Sequence, residues 1–402
     1  MSTRRPLTRS ERRRVLLLLP SLQGGGAERM ALHLLNHADP AHFDVRIGLL
    51  RMAGPYLSSV DVRRLDVAPL RSEWLNFDLG NPANYGLWRV PAYILAPFNA
   101  FWLMRRFRPH VIVSFTKGMN LCTWLAVSLY GRKKVRWIAR EGNNALAVIR
   151  DELMGRPAMA AAITTLVKRC YRSADRLLSI CHEMGAELTR QLHLDPSRVR
   201  TVHNCVDLEQ VRSGATLPPD GLPPRYFVSI GRLTRQKGLD VLVRAFSRSE
   251  CALTHKLLLL GEGEEERNLR RLAATLGADK STIFCGFRDN PWAYLARADA
   301  LVLASRWEGF ASIVVEALAA GTPVVATSCD FGPKEILQNG RYGIVVPVDD
   351  VEALREALDR VARDEALRRR LSELGKVRAR DFDARTIVTR YEDLFCEVMA
   401  EV

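Results

Sequence analysis

Val15–Leu19 is an unbroken apolar run that empties into Gly24-Gly25-Gly26-Ala27-Glu28, after which Met30, Leu34 and Leu35 mark the inward stripe of a helix. A strand that is apolar throughout belongs in a sheet covered on both faces, and a glycine loop leading straight into a helix is how parallel sheets of the α/β class are connected. The plan recurs in the second half. Tyr226–Ile230 leads into Gly231-Arg232-Leu233-Thr234-Arg235-Gln236-Lys237-Gly238, and a helix pattern starts near Leu239. Further buried strands are expected at Val45–Leu50, Val111–Phe115, Val135–Ala139 and Leu177–Ile180. In the second half they are expected at Lys256–Leu260, Thr282–Cys285, Ala300–Ala304, Val324–Ala326 and Ile344–Val346. The expectation is two Rossmann-like parallel-sheet domains, 1–212 and 225–382, facing across a cleft. The Gly/Pro-rich linker Ser213–Pro224 separates them, and a C-terminal helix over 383–402 carries the apolar positions Ile387, Tyr391, Leu394 and Phe395.

The chain has 402 residues and a formal net charge of +14. Lys and Arg outnumber Asp and Glu by 31 to 15 over residues 1–200, and fall short by 28 to 30 over the rest. An excess confined to one half suits an anionic partner: a membrane surface or a diphosphate. Nucleic acid is excluded as a class, because no zinc-finger spacing, RNP string or GXXG clamp accompanies the basic residues. Val15–Pro20 is too short for a signal sequence. The stretch Leu87–Met104 is broken by Pro91 and Pro97 and runs into Arg105, Arg106 and Arg108, so it reads as core or as a membrane-facing surface rather than a span. Eight scattered cysteines without a CxxC pair read as reduced thiols in a cytoplasmic protein.

Three strings carry chemistry. The glycines at 24–26 let backbone N–H groups approach a ligand at a helix N-terminus, where an anion is favoured, so Gly25 and Gly26 are candidate phosphate or sugar contacts. Arg232 offers a planar fork and Lys237 a mobile point charge, two complementary ways to hold a departing diphosphate. The third is Glu308-Gly309-Phe310-Ala311-Ser312-Ile313-Val314-Val315-Glu316. It spaces two carboxylates across a loop and the first turns of a helix that Ser312 is expected to cap, each carboxylate able to accept two hydroxyl hydrogen bonds. The histidines form no HxH or HExxH pattern, so no metal site is expected. Asp381-Phe382-Asp383 spells a DxD string, but it sits before a terminal helix and reads as capping and solvated charge.

Together GGGAE at 24–28, GRLTRQKG at 231–238, GEG at 261–263, EGF…E at 308–316 and AGTPVVATSCDFGPKEIL at 320–337 resemble the retaining glycosyltransferases of the glycogen-synthase-like class (family 4) with the GT-B architecture. The likeness extends to bacterial enzymes that elongate undecaprenyl-diphosphate-linked or surface glycans. The resemblance implies a UDP-sugar donor, a lipid-linked or polysaccharide acceptor, retention of anomeric configuration, no metal or other cofactor, and a place at the inner face of the plasma membrane. It implies that Glu316 binds the donor ribose and Glu308 the transferred sugar. Arg232 and Lys237 would then neutralise the diphosphate, with Gly309 and Phe310 in the donor loop. Where relatives carry a first-domain histidine in an SEHN-like string, this chain has Arg140-Glu141-Gly142-Asn143-Asn144. Lys117, Glu141 and Asn143 are therefore candidate replacements, and Asn204, in a string like the family's YNGVD, is a further acceptor or sugar contact. A soluble glucan synthase, a sugar-nucleotide 2-epimerase and a non-enzymatic interaction protein are the competing readings.

Overall fold

The computed structural model describes residues 12–23, 25–67, 90–143, 149, 155–216, 219 and 221–401. Gly24, Asn144, the first eleven residues and residues 87–89 of the apolar stretch lie outside them, as do residues 217, 218 and 220 of the Gly/Pro segment. The chain forms two compact units. One comprises residues up to Asn204 together with those from Arg385 onward; the other runs from Cys205 to Ala384. The helix Leu208–Ala215 goes with the second unit.

The first unit holds β1 (Arg13–Leu19), β2 (Phe43–Leu49), β3 (Leu65–Val67), β4 (Val111–Phe115), β5 (Arg136–Glu141), β6 (Arg176–Ser179) and β7 (Val199–Thr201). These pair in the order β3-β2-β1-β4-β5-β6-β7, every described pairing parallel. The second holds β8 (Tyr226–Ile230), β9 (Lys256–Leu260), β10 (Thr282–Gly286), β11 (Ala300–Leu303), β12 (Val324–Thr327) and β13 (Ile344–Val346), in the order β10-β9-β8-β11-β12-β13 and again parallel. The apolar runs are central strands because helices cover both faces: Val15–Leu19 and Leu257–Leu260 are 0–1% exposed. In each sheet the order reverses between the first strand and the fourth, β1/β4 and β8/β11. Loops leaving the carboxyl ends there open the crevice where such sheets bind ligands.

The strands expected from apolar runs are all present, with ends shifted by a few residues. Strands β3 and β7 were not anticipated, because three-residue edge strands with a charged residue at the centre carry no apolar run to find. The terminal helix Ala384–Ala400 packs on the first unit. Phe395 meets Phe43 edge-on at 5.9 Å, Glu392 accepts the Asp39 backbone N–H at 2.7 Å, and Glu397 pairs with Arg176 and Arg200 at 3.0 and 2.5 Å. The stretch ending at Met104 belongs to the helix Val90–Phe107. Ala96, Asn99, Ala100, Leu103 and Met104 are buried, while Phe98 and the arginines 105, 106 and 108 are exposed. Most of its described face is therefore core. No described helix is long and apolar enough to cross a membrane. None of the eight cysteines forms a disulfide.

Candidate active site

In the second unit the two switch-point loops are tied together. After β8 the loop closes at Gly238, whose φ of 58° and whose approach to β11 both exclude a side chain: a β-carbon there would lie 2.0 Å from the Ala304 carbonyl oxygen. After β11, Arg306 donates to both oxygens of Asp240 at 2.9 and 3.0 Å, to Asp349 at 2.8 Å and to the Arg235 carbonyl at 2.8 Å. Gln236 donates to the Trp307 carbonyl at 2.8 Å. Burial alone would raise the Asp240 pKa, but the hydrogen bonds and charge of Arg306 outweigh it and hold the group below its ordinary value.

This frame brings Lys237 and Glu308 into contact. Lys237 Nζ lies 2.6 Å from Glu308 Oε1, and Ser305 Oγ donates to the same oxygen at 2.7 Å. Ser305 is itself positioned through its carbonyl, which accepts from Thr327 Oγ1 on β12 at 2.5 Å. Glu308 is buried, yet its charge has a cation and a hydroxyl beside it, as a buried carboxylate requires. Arg232 is exposed in the same loop as Lys237, and its guanidinium makes no ion pair among the described residues. Charge beside Glu308 thus comes from Lys237, while Arg232 is exposed to solvent.

Gly309 and Phe310 continue the loop inward. The Phe310 ring is buried edge-on against Phe382 at 5.6 Å, so it anchors the loop, and only its backbone is available to a ligand. Ala311 then takes φ 61°, uncommon for a residue with a β-carbon, and the helix Ser312–Ala320 begins. The expected cap by Ser312 is not formed. Ala311 occupies the cap position, Ser312 is the first helical residue, and no side-chain cap is formed among the described residues. One helix turn further, Glu316 is 3% exposed and accepts from the Trp292 indole at 2.8 Å. Ser305 and Trp292 are the site partners that the sequence reading missed. Ser305 sits three residues before Glu308 and could have been suspected; the Trp292 contact links distant segments and left no local signal. Asp381 pairs with Arg378 at 2.7 Å, a surface contact.

The first unit places its candidates differently. Gly25 is the N-cap of the helix Gly26–His37, and a β-carbon on it would meet Glu28 Oε2 at 2.5 Å. Glu28 lies at the third helical position and turns its carboxylate back onto the N–H groups of Gly25 and of itself, in the manner of a capping box. Burial raises its pKa, opposed by those N–H groups and by the charge of Arg140. Asn204 lies beside Gly26, its Nδ2 3.6 Å from where a β-carbon would stand. Its Oδ1 accepts from Arg140. Arg140 is 1% exposed, donates also to the Tyr391 hydroxyl at 3.0 Å, and lies over the Phe115 ring at 5.1 Å.

Glu141 is turned into the protein. It accepts the N–H groups of Gly142 and Asn143 at 3.1 and 3.2 Å and the Tyr171 hydroxyl, and burial pushes its pKa up. The backbone N–H of Asn143 is thereby committed to the loop. Lys117 starts the helix Lys117–Tyr130 and acts on Glu141 through its charge. The residue before it, Thr116, has φ 77°, a costly conformation for a β-branched side chain. The structure thus assembles Gly25, Gly26, Glu28, Arg140 and Asn204 in one group, and Lys117, Glu141 and Asn143 in another.

Residues 25–205 match the family Glycosyl transferase 4-like domain, and residues 220–378 match Glycosyl transferases group 1. The N-acetylgalactosamine-N,N'-diacetylbacillosaminyl-diphospho-undecaprenol 4-alpha-N-acetylgalactosaminyltransferase of Campylobacter jejuni is 30% identical over 54% of this chain and 59% of its own. The lipopolysaccharide core biosynthesis glycosyltransferase LpsE of Rhizobium meliloti is 36% identical over 37% of this chain and 42% of its own. The chain thus spans about half the length of these curated relatives. The crystal structure of a glycosyltransferase from Rickettsia africae superposes with a TM-score of 0.74 over 96% of this chain and 99% of its own, at 15% identity, a likeness of fold. With one glycosyltransferase family matched in each half and the fold shared from end to end, the chain belongs to the GT4-like glycosyltransferases of the GT-B fold.

Proposed function

We propose that the enzyme is a retaining, metal-independent transferase that moves an N-acetylhexosamine or hexose from a UDP-sugar to a lipid-diphosphate-linked or surface-polysaccharide acceptor at the cytoplasmic face of the plasma membrane. The observation that carries this reading is the Lys237–Glu308 pair at the β8/β11 switch point, with Arg232 exposed beside it and an uncapped helix N-terminus following at Ser312. Diphosphate oxygens gain charge as they leave the anomeric carbon, so fixed cations and helix N–H groups favour the transition state over the bound substrate. In the step itself the bond from the anomeric carbon to the phosphate oxygen breaks. The acceptor oxygen bonds to the same face, and its proton passes to the leaving phosphate.

Glu308 would take hydroxyls of the transferred sugar, and Glu316, held by Trp292, the ribose hydroxyls. The backbone of Gly309 and Phe310 would line the donor. Gly25, Gly26, Asn204, Lys117 and Asn143 would serve the acceptor side or the far face of the diphosphate, with Glu141 holding that loop. The substrate named for the Campylobacter protein and the lipopolysaccharide core biosynthesis named for the Rhizobium protein support a glycan-extending role, and the basic first half supports an anionic membrane as partner. The test is a panel of UDP-sugars offered with lipid-diphosphate and soluble oligosaccharide acceptors, with linkage analysis of the product. Transfer from none of the donors to any acceptor would refute the reading.

A further inference from the structure

The helix Lys117–Tyr130 buries Met119, Cys122, Thr123, Ala126 and Val127, yet its opposite face is also apolar. Leu121, Leu125 and Leu129 recur every four residues and so share one face; Leu125 is 47% exposed and Leu129 61%. A helix that is apolar all round is normally enclosed on every side by protein or lipid. On the adjacent helix Val90–Phe107, which packs against it, Phe98 is 53% exposed, and Leu166 of the helix Pro157–Ser173 is 44% exposed. The leucine stripe ends in a basic turn, Arg132, Lys133 and Lys134, all exposed.

That turn forms one wall of a cavity of about 390 Å³. Val127 of the same helix, Trp137 and Ser173 contribute to it, with three cations, Arg132, Lys133 and Arg136, and two acidic residues, Asp175 and Glu401, on its lining. Arg136 is already held by Asp175 at 3.1 Å and by the Glu401 carbonyl at 2.8 Å, so it braces the floor. Arg132 reaches only the Ser173 carbonyl, at 3.4 Å, and Lys133 is exposed; these two are the cations open to a ligand. The cavity lies at the amino end of β5, the opposite end of the sheet from Glu141, so it is separate from the crevice of the active site.

We infer that this face is the membrane-docking surface: Leu125 and Leu129 enter the acyl boundary of an anionic bilayer while Arg132 and Lys133 take the phosphate of a lipid headgroup in the cavity. The inference rests on the anionic-membrane reading above and moves the contact from the helix of Leu103 and Met104, largely buried, to its neighbour. Charge complementarity selects the occupant, since a protein partner for a leucine stripe would not require the exposed cations Arg132, Lys133 and Lys134 at its end.

Co-sedimentation with phosphatidylcholine vesicles, with and without phosphatidylglycerol, tests it. The unaltered protein should bind only the anionic vesicles. Leu125→Ser/Leu129→Ser and Arg132→Ser/Lys133→Ser should each lower partitioning by about tenfold. Transfer to a short soluble acceptor should be unchanged. Should the leucine variant fold poorly, hydrogen exchange of the unaltered protein on the same vesicles reads the same surface: residues 121–134 should slow. Binding to phosphatidylglycerol with both variants unimpaired, or slowing confined to residues 95–107, overturns this surface and leaves the membrane reading standing. Equal binding to both vesicle types, or to neither, overturns both and leaves sugar transfer untouched.

Discussion

The two units share a strand order around their switch points and fill those points with opposite chemistry. At the β8/β11 switch point of the second unit, a carboxylate and a lysine pair at 2.6 Å with an exposed arginine nearby. After β1 in the first, the helix N-terminus that would attract an anion already holds the carboxylate of its own Glu28, and the nearby cation, Arg140, is buried among Asn204, Tyr391 and Phe115. The acid groups respond accordingly: Asp240 is held down by Arg306, whereas Glu28 and Glu141 are pushed up by burial. One feature is common to both. Thr116 after β4 and Ala311 after β11, the strands across each switch point, are non-glycine residues at positive φ, at 77° and 61°. Strain at matching places in two unrelated sequences argues that each loop is shaped for a ligand rather than for stability. The difference teaches that the fold supplies two equivalent crevices, and side chains decide which one receives charge.

The largest effect should come from the second unit. Glu308→Gln keeps the shape but removes the charge facing Lys237, and turnover should fall more than about tenfold with UDP affinity nearly intact. Glu316→Gln should weaken UDP binding as well, because its carboxylate is set by Trp292 one turn into the helix. Titrating UDP against both variants separates the roles, and equal affinities would show that the ribose assignment is wrong.

A change of similar weight, but on stability, belongs to the first unit. Arg140→Met removes the donor that Asn204 Oδ1 and the Tyr391 hydroxyl share at a buried position. The cost should be about 2–3 kcal/mol. Two units need not melt together. In urea the first unit's transition should shift and the transition protected by UDP should stay. Movement of both by the same amount would mean that Arg140 supports more than its own unit.

These contrasts were unevenly legible in the sequence. Apolar runs announced the central strands, and glycines such as Gly238 announced loops where backbone passes backbone. The carboxylates 308 and 316 stood out within a largely apolar string, and the cations 232 and 237 because their loop directly follows the first strand of the second half. What stayed hidden is what depends on side chains meeting across the fold: Trp292 against Glu316, Arg140 against Asn204 and Tyr391, and Glu28 folded back on Gly25. The sequence likewise offers Glu141 as a possible acceptor or sugar contact without showing that it accepts from Gly142, Asn143 and Tyr171.

A smaller effect tests whether the first unit's glycine loop meets the donor's phosphates at all. If it does, Glu28 must vacate the N–H groups of its helix, and its charge opposes binding until then. Glu28→Gln should tighten a UDP-sugar about threefold, on the scale of a partly exposed charge at a helix terminus. The pKa of Glu28 is raised above its ordinary 4.5. Affinity of the unaltered enzyme should therefore improve as pH falls toward that raised value, and the variant should lose this dependence. A UDP-sugar is the right probe, because its diphosphate has no second ionisation in that range. Unchanged affinity in Glu28→Gln, with a lower melting temperature, would make Glu28 a helix cap and place the phosphates wholly on the second unit.

The smallest expected effect is none: transfer should persist in excess EDTA. A diphosphate brings two negative charges and needs counter-charge as it leaves. Arg232 is exposed and available to supply one, and the helix N-terminus at Ser312 adds partial positive charge that no side chain claims. Lys237 supplies the second at some expense, because it must share itself between Glu308 and the phosphate. Glu308 can release it, since Ser305 donates to the same oxygen and the hydroxyls of the incoming sugar would replace what the lysine withdraws. The dependence therefore falls on Lys237 rather than on an ion. Lys237→Met should lose activity that Mg²⁺ or Mn²⁺ restores only weakly, because a free divalent ion is not held in place as the lysine is by Glu308. Activity abolished by EDTA in the unaltered enzyme and regained only with Mg²⁺ or Mn²⁺ would overturn this account of the charge. It would also mean that the second unit's crevice is incomplete without a metal.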